Sequence, residues 1–486
     1  MKRSIKRNAV LNAIKQICTI IFPIITIPYV TRVLQSDNYG KVNFCRSIIS
    51  YFSLIASFGI NNYAVRQGAR IRDNKKRISK FANEVFTINC LFTVLSYLLL
   101  FISLAASAKL KQYTNIVLIC SIGIALVTIG ADWINTIYED FQYITIRYII
   151  FQLLSIILLF SIVKTKNDFI EYAFVTVFAG AGANILNIFY TRRYVKVRPT
   201  LHCNMREHIR PMFFLFVNSI SVIIYVNSDI TMLGYLSSDR SVGIYSVASK
   251  VYEIVKNLVA ALIVTTVPRI SILIEKRSRL EYKTLLKKIF SALLSILFPI
   301  IIGVLFMSKP IMGVVGGQDY ISGYTALSIL GIALLFSIVA SFFTTCILLP
   351  NKMDKQNLLA TTAAAIINIV LNLVIIPIFD FNGTALTTLL AELVVACIAI
   401  HYSDVKISDL IDKELIKSIF ASSLSITVVC QMSTLLISNY FIRIIVAVLL
   451  SGLLFITINV HLKNPLILPV YEKLKGRING NTRNRG

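Results

Sequence analysis

Charged residues are scarce in this chain: Asp, Glu, Lys and Arg together make up 15% of its 486 residues. A soluble domain wets its surface with roughly 25% charged residues. That shortage, beside 56% hydrophobic residues and a mean hydropathy of +0.75, excludes an ordinary soluble fold. Acid is the scarcer sign, 23 Asp and Glu against 49 Lys and Arg, for a net charge of +26. In so apolar a chain a basic excess is a membrane signature before it is a nucleic-acid footprint, so no nucleic-acid partner is expected.

Other absences narrow the chemistry. The four histidines, His202, His208, His401 and His461, are in loops or at interfaces without metal-ligand spacing, so neither a metal nor a cofactor is expected. Seven of the eight cysteines sit in apolar runs and only Cys203 lies in a polar stretch; with no CxxC spacing they read as small packing residues rather than a disulfide framework. There is no GxxxxGK[ST], hence no phosphate-cradling loop for ATP, and Gly313, Gly316 and Gly317 lack the Lys and Ser/Thr such a loop needs. No connection is long enough to carry the acidic residues of a membrane glycosyltransferase or polymerase. The chain is therefore expected not to be an enzyme, and a transporter remains.

What is present is a succession of apolar runs. A helix needs about 20 apolar residues to cross about 30 Å of hydrocarbon, and candidates fall at 10–31, 42–64, 81–106, 115–137, 148–163, 171–190, 211–235, 243–267, 289–307, 323–349, 358–377, 383–401, 418–437 and 444–460. The expected class is an all-α polytopic membrane protein of about 14 transmembrane helices. The basic start at Met1–Arg7 reads as the flank of an uncleaved first helix rather than a signal peptide. Even-numbered connections and the tails carry 36 Lys and Arg, odd-numbered ones 9, so the first set, with both termini, is expected on the cytoplasmic side. The densest blocks, 66–80, 192–210 and 269–288, all fall there, where anionic lipid would hold them.

A weak internal repeat organises the spans. Asp37 is followed by Gly40 before the second helix and Asp239 by Gly243 before the eighth, each between an apolar span and a later basic loop. Helices 1–6 and 7–12 then form two parallel lobes, six passes preserving orientation, with helices 13 and 14 outside the repeat. The expected boundaries are 1–210, 211–416 and 417–486, the last including the basic tail.

Ionisable residues inside spans are costly and mark functional sites by default. They are Lys15, Arg46, Glu84, Asp132, Asp229, Lys250, Glu253, Lys256 and Glu392. Lys250, Glu253 and Lys256 recur at i, i+3, i+6 and trace one slowly rotating face. Either Lys250 and Glu253 satisfy each other while Lys256 snorkels, or the cations line a water-filled cavity for an anionic substrate with Glu253 tempering their charge; the second is the expectation. Arg46 and Lys15 can face the same cavity or snorkel, whereas Glu84, Asp132 and Asp229 read as interfacial. Pro23, Pro28 and Pro299 are expected to bend their helices. Gly180–Ala183 and Ala360–Ala365 read as close-packing segments, and Asn368 and Asn372, at i, i+4, as a hydrogen-bonding pair reaching toward helix 12.

Four stretches carry a family resemblance: Pro28–Leu34 leading into Asn38–Lys41; Gly59–Arg66 with Arg70, Arg72 and Asp73; Val242–Tyr245 through Ala248 and Lys250; and Asn368–Pro377 followed by Gly383–Ala385 and Thr387–Glu392. In this order the chain resembles the polysaccharide flippases, those of O-antigen and capsule repeat units, in the superfamily that also holds the multidrug and toxin exporters and the lipid II flippases. The departure Gly383-Thr384-Ala385 is mild. The resemblance implies a MATE-like pair of six-helix lobes with two extra C-terminal helices forming a groove for a lipid tail. It also implies transfer of undecaprenyl-diphosphate-linked oligosaccharide from the cytoplasmic to the periplasmic leaflet of the bacterial inner membrane by alternating access. Lys15, Arg46, Lys250, Glu253 and Lys256 would then bind substrate, Glu253 or Glu392 would couple protons or another cation, and the polymerase and chain-length proteins of the pathway would be partners. Two other readings remain open: a multidrug or cation antiporter of the same superfamily, which should have a net acidic cavity, and a polymerase or ligase of the same pathway.

Overall fold

The computed structural model describes residues 5–201 and 204–462; His202, Cys203 and most of the basic C-terminal tail lie outside them. Among the described residues every regular element is helical. The chain divides into two compact units, residues 1–246 and 247–486.

The first unit is built from α1 (Ile5–Ser57), α2 (Ile60–Ile71), α3 (Lys75–Ala106), α4 (Ala108–Gln112), α5 (Thr114–Gly130), α6 (Trp133–Ile137), α7 (Phe141–Ile162), α8 (Phe169–Val177), α9 (Asn184–Tyr190), α10 (Met205–Leu236) and the start of α11 (Asp239–Val264). At 53 residues α1 would extend about 80 Å if straight, far more than one bilayer crossing. It leaves helical geometry at Gln35 (φ 60, ψ 175) and so makes two passes. Its first half runs alongside α7 in the same sense, the Thr145 hydroxyl donating to the Leu11 carbonyl and Tyr29 to that of Val163. Its second half runs against α3, where Ser96 donates to the Phe52 carbonyl and Asn89 to that of Ala56. The backbone keeps helical dihedrals through Pro23 and Pro28; the break is at Gln35 instead. Proline at these positions sacrifices one ladder bond but not the helix, because its fixed φ is itself helical.

The second unit continues through α12 (Val267–Glu275), α13 (Arg279–Val315), α14 (Tyr324–Phe342), α15 (Asp354–His401), α16 (Lys413–Leu436) and α17 (Tyr440–His461). α15 also reverses, at Asp380 (φ 52, ψ −136). A Cβ on Gly383 would stand 2.8 Å from the Ile375 carbonyl oxygen across that turn. Thr387 donates to Asn372 Oδ1 at 2.5 Å, and Asn372 to Asn368 Oδ1 at 3.1 Å. The asparagine pair thus bridges to the following pass, as its spacing predicts. At the C-terminal end of the described chain, Asn459 of α17 is held between two serines of α16. Ser418 donates to its Oδ1 at 2.5 Å and its amide donates to Ser422 at 3.0 Å, all three buried.

Among the described residues, eleven helical stretches are long and apolar enough to cross a membrane. Two of them, Ala13–Ile71 and Asp354–His401, contain the reversals and cross twice, and Thr114–Gly130 is a shorter apolar helix, which brings the passes to the expected fourteen. Outward faces remain apolar, with Phe214, Phe420, Leu435 and Leu453 all exposed, as lipid requires.

Candidate functional site

Polar side chains in apolar helices must find partners or face water, because an unpaired one costs several kcal/mol in hydrocarbon. The described ionisable residues divide accordingly into paired and open groups.

In the first unit the carboxylates are spoken for. Asp132, between α5 and α6, accepts at Oδ1 from Arg147 Nη2 at 2.5 Å and from Asn187 Nδ2 at 2.9 Å. Asn187 also donates to the Gly130 carbonyl at 2.6 Å and accepts from Asn135 at 2.7 Å. Arg147, 5% exposed in its side chain, therefore ties α7 to the α5–α6 junction and to α9. Glu84 of α3 lies 3.1 Å from His208 Nε2 of α10, whose Nδ1 is 2.7 Å from the Tyr63 hydroxyl, and all three are buried. Asp229 accepts from Tyr245 at 2.7 Å. Outside the spans, the Glu139 carboxylate, 2.7 Å from Arg72, raises that guanidinium above its ordinary range. In the loop before α8 the backbone N–H groups of Lys164 and Thr165 hold Asp168 below the usual carboxylate range.

Two cations on α1 are open groups. Arg46, in the second half of α1, is exposed and has no hydrogen-bonded or ion-paired partner among the described residues. Lys15, in the first half, lies with its ammonium 5.6 Å over the Tyr148 ring, on the wall of a cavity of about 460 Å³ lined by both polar and apolar side chains.

In the second unit the α11 face unfolds as the i, i+3, i+6 spacing requires, but its members have different fates. Lys250 donates to Glu253 at 2.9 Å, and the pair is 40% and 41% exposed. Lys256 does not snorkel. It donates to Glu392 of α15 at 2.7 Å, and Tyr252 donates to the same oxygen at 2.7 Å. Glu392 is only 5% exposed in its side chain, so α11 and α15 are joined by a largely dry ion pair. Arg147, His208, Asn187 and Tyr252 were not singled out as partners by sequence; Arg147 falls one residue ahead of the apolar run at 148–163, and that position was its only signal. Beside α13, two apolar grooves of about 360 and 600 Å³ are lined by residues such as Met307, Ile426 and Phe455, and Phe298, Leu393 and Phe420.

The family described as "Polysaccharide biosynthesis protein" matches residues 5–274. The chain belongs to that family. Over 406 residues, 82% of this chain and 97% of the relative, it is 24% identical to a protein of Escherichia coli (strain K12) named "Putative O-antigen transporter". Among solved structures it resembles the lipid II flippase MurJ in an inward closed conformation, with a TM-score of 0.72 at 17% identity, covering 95% of this chain and 99% of that one. It also resembles an inward-facing multidrug transporter of the MATE family, with a TM-score of 0.57 at 12% identity, covering 80% and 98%. These likenesses are of fold, and they agree with the MATE-like class read from the four sequence stretches. The family member is thus a multi-pass membrane protein.

Proposed function

We propose that this protein is a flippase that carries undecaprenyl-diphosphate-linked oligosaccharide from the cytoplasmic to the outer leaflet of a bacterial inner membrane. The observation that carries the reading is the open cation Arg46 on an apolar transmembrane helix, with the half-exposed Lys250 in the second unit. A diphosphate and its sugars cannot cross hydrocarbon unaided, and cations retained there at a cost of several kcal/mol each need a ligand that justifies them. The names of the E. coli relative and of MurJ point the same way. The two apolar grooves, one among α13, α16 and α17 and the other among α13, α14, α15 and α16, suit the polyprenyl tail.

Substrate binding then falls to Lys15, Arg46, Lys250, Glu253 and Lys256. Glu253 and Glu392 are the candidates for cation coupling, since protonating either carboxylate would release the lysine it holds. Export requires no bond to be made in the substrate, so the protein acts as a transporter and hands its product to the polymerase and chain-length proteins of the pathway. Both termini lie in the cytoplasm in this reading, and the lobes are those bounded at 210 and 416.

The test is a strain lacking the gene, with radiolabelled lipid-linked repeat units assayed by leaflet. Accumulation of intact units on the cytoplasmic face and loss of polymer is the expected result. Single units at the surface without chain lengthening would make it a polymerisation component, and an unchanged polysaccharide profile would favour the drug or cation antiporter.

A further inference from the structure

We infer that the first unit holds a head-group subsite for a hexose that carries an acidic group, built on the cavity at Lys15; the inference rests on the flippase reading and names part of its substrate. The cavity, about 460 Å³, is within the range of small-ligand pockets, roughly 300–1,000 Å³. Its wall includes Lys15 of α1, Asn61, Asn62 and Arg66 of α2, and Asp132 and Trp133 at the α5–α6 junction. Arg46 is not on that wall.

Three features define the ligand. Asn61, Asn62 and Arg66 are all exposed, and none has a partner among the described residues. Adjacent carboxamides offer donors and acceptors together, which is what vicinal hydroxyls need and what a simple anion cannot use. Asp132 spends Oδ1 on Arg147 and Asn187, and its side chain is 46% exposed. Its second oxygen, with no partner among the described residues, remains an acceptor for a hydroxyl while Arg147 cancels its charge.

Charge supplies the third feature. With Asp132 balanced by Arg147, the uncompensated charges on the wall are Lys15 and Arg66, both positive. Val65, Phe141 and Ile144 form an apolar part of the wall that a sugar-ring face can cover; a cation would be repelled, whereas a phosphate or carboxylate on the sugar meets two cations. The buried Trp133 indole N–H adds a donor that nothing among the described residues accepts. Trp133 is also the chain's single tryptophan, so the site contains its own reporter.

Purified full-length protein in detergent is titrated while Trp133 fluorescence is followed, using glucose 1-phosphate, methyl β-glucuronide, methyl β-glucoside and inorganic phosphate as probes. A saturable change is expected with at least one acidic hexose, binding at least about tenfold tighter than the neutral glucoside or phosphate alone, as about 1.4 kcal/mol of added recognition would give. A response to glucose 1-phosphate alone identifies the acid as a phosphate and to the glucuronide alone as a carboxylate, and either sustains the subsite. Arg66→Ala and the double variant Asn61→Ala/Asn62→Ala should each weaken binding about tenfold while leaving the unliganded emission spectrum unchanged. Absence of saturation with both acidic hexoses, equal affinity for inorganic phosphate, or wild-type binding by these folded variants would overturn the subsite. Those outcomes leave the leaflet assay of the deletion strain untouched, so failure of the subsite and failure of the flippase reading are seen in different experiments.

Discussion

Gly40 and Gly243, the glycines of the two repeated turns, pack backbone to backbone. A Cβ on Gly40 would overlap the Asp239 carbonyl oxygen and stand 2.8 Å from the Gly243 nitrogen; one on Gly243 would overlap the Ser36 carbonyl oxygen. The two similar turns therefore touch within the first unit, and the reason both carry glycine is this contact rather than backbone conformation. Gly40→Ala or Gly243→Ala should cost at least about 1–3 kcal/mol, the usual penalty for overpacking, and more if the backbones must separate. Gly303→Ala and Gly452→Ala, where no atom lies within 4 Å, serve as controls. Thermal melts of purified protein, read by size exclusion, should fall only for the first pair.

Lys250 and Glu253 form an exposed ion pair, so removing the lysine leaves an uncompensated carboxylate, which on the proposed function would repel a passing diphosphate. Lys250→Ala should reduce polymer export at least about tenfold, equivalent to about 1.4 kcal/mol, at normal expression. Lys250→Ala/Glu253→Ala should recover part of the loss. A double variant as inactive as the single one would show that the lysine acts directly rather than through its neighbour.

The Lys256–Glu392 pair is drier and should behave differently. Breaking a buried pair from one side costs about 3–5 kcal/mol, whereas replacing both partners with apolar groups is often neutral. Lys256→Met alone should lower the melting temperature, and Lys256→Met/Glu392→Leu should restore most of it. If the restored protein folds but no longer exports, Glu392 has a role in coupling beyond joining α11 to α15.

Asp168 is held ionised by two backbone N–H groups, so its contribution is present above the ordinary carboxylate pKa and lost as pH falls through the lower folded value. A melting difference between wild type and Asp168→Ala should be present at neutral pH and shrink below about pH 4. A difference independent of pH would assign it to packing.

Membrane sidedness is checked with single cysteines in a background whose native cysteines are replaced. Asp319→Cys should react with an impermeant reagent in intact spheroplasts and Lys76→Cys should not. The reverse pattern would invert the orientation.

Much of the fold could be read from hydropathy because hydrocarbon leaves a helix few alternatives. The reversals at Gln35 and Asp380 fall inside connections expected at 32–41 and 378–382, although neither involves proline or glycine at the break itself. The Lys250–Glu253 pair follows from i, i+3 spacing, although that spacing alone offered it only as the alternative to a cation-lined cavity. What could not be read is contact across long separations. Lys256 and Glu392 are 136 positions apart, and Glu84 and His208 are 124 apart; no periodicity links them. Asp132 read as interfacial because the guanidinium that meets it stood just outside an apolar run.

The serine clasp around Asn459 bears on how the chain is made. Lipid tails are as apolar as leucine, so hydrophobicity gives neighbouring transmembrane helices no preferred alignment. Hydrogen bonds from Ser418 and to Ser422 favour one sliding position and rotation of α17 against α16, and they use only residues of this hairpin. The α16–α17 hairpin can therefore find its own register while still in the insertion machinery, before it packs against α13.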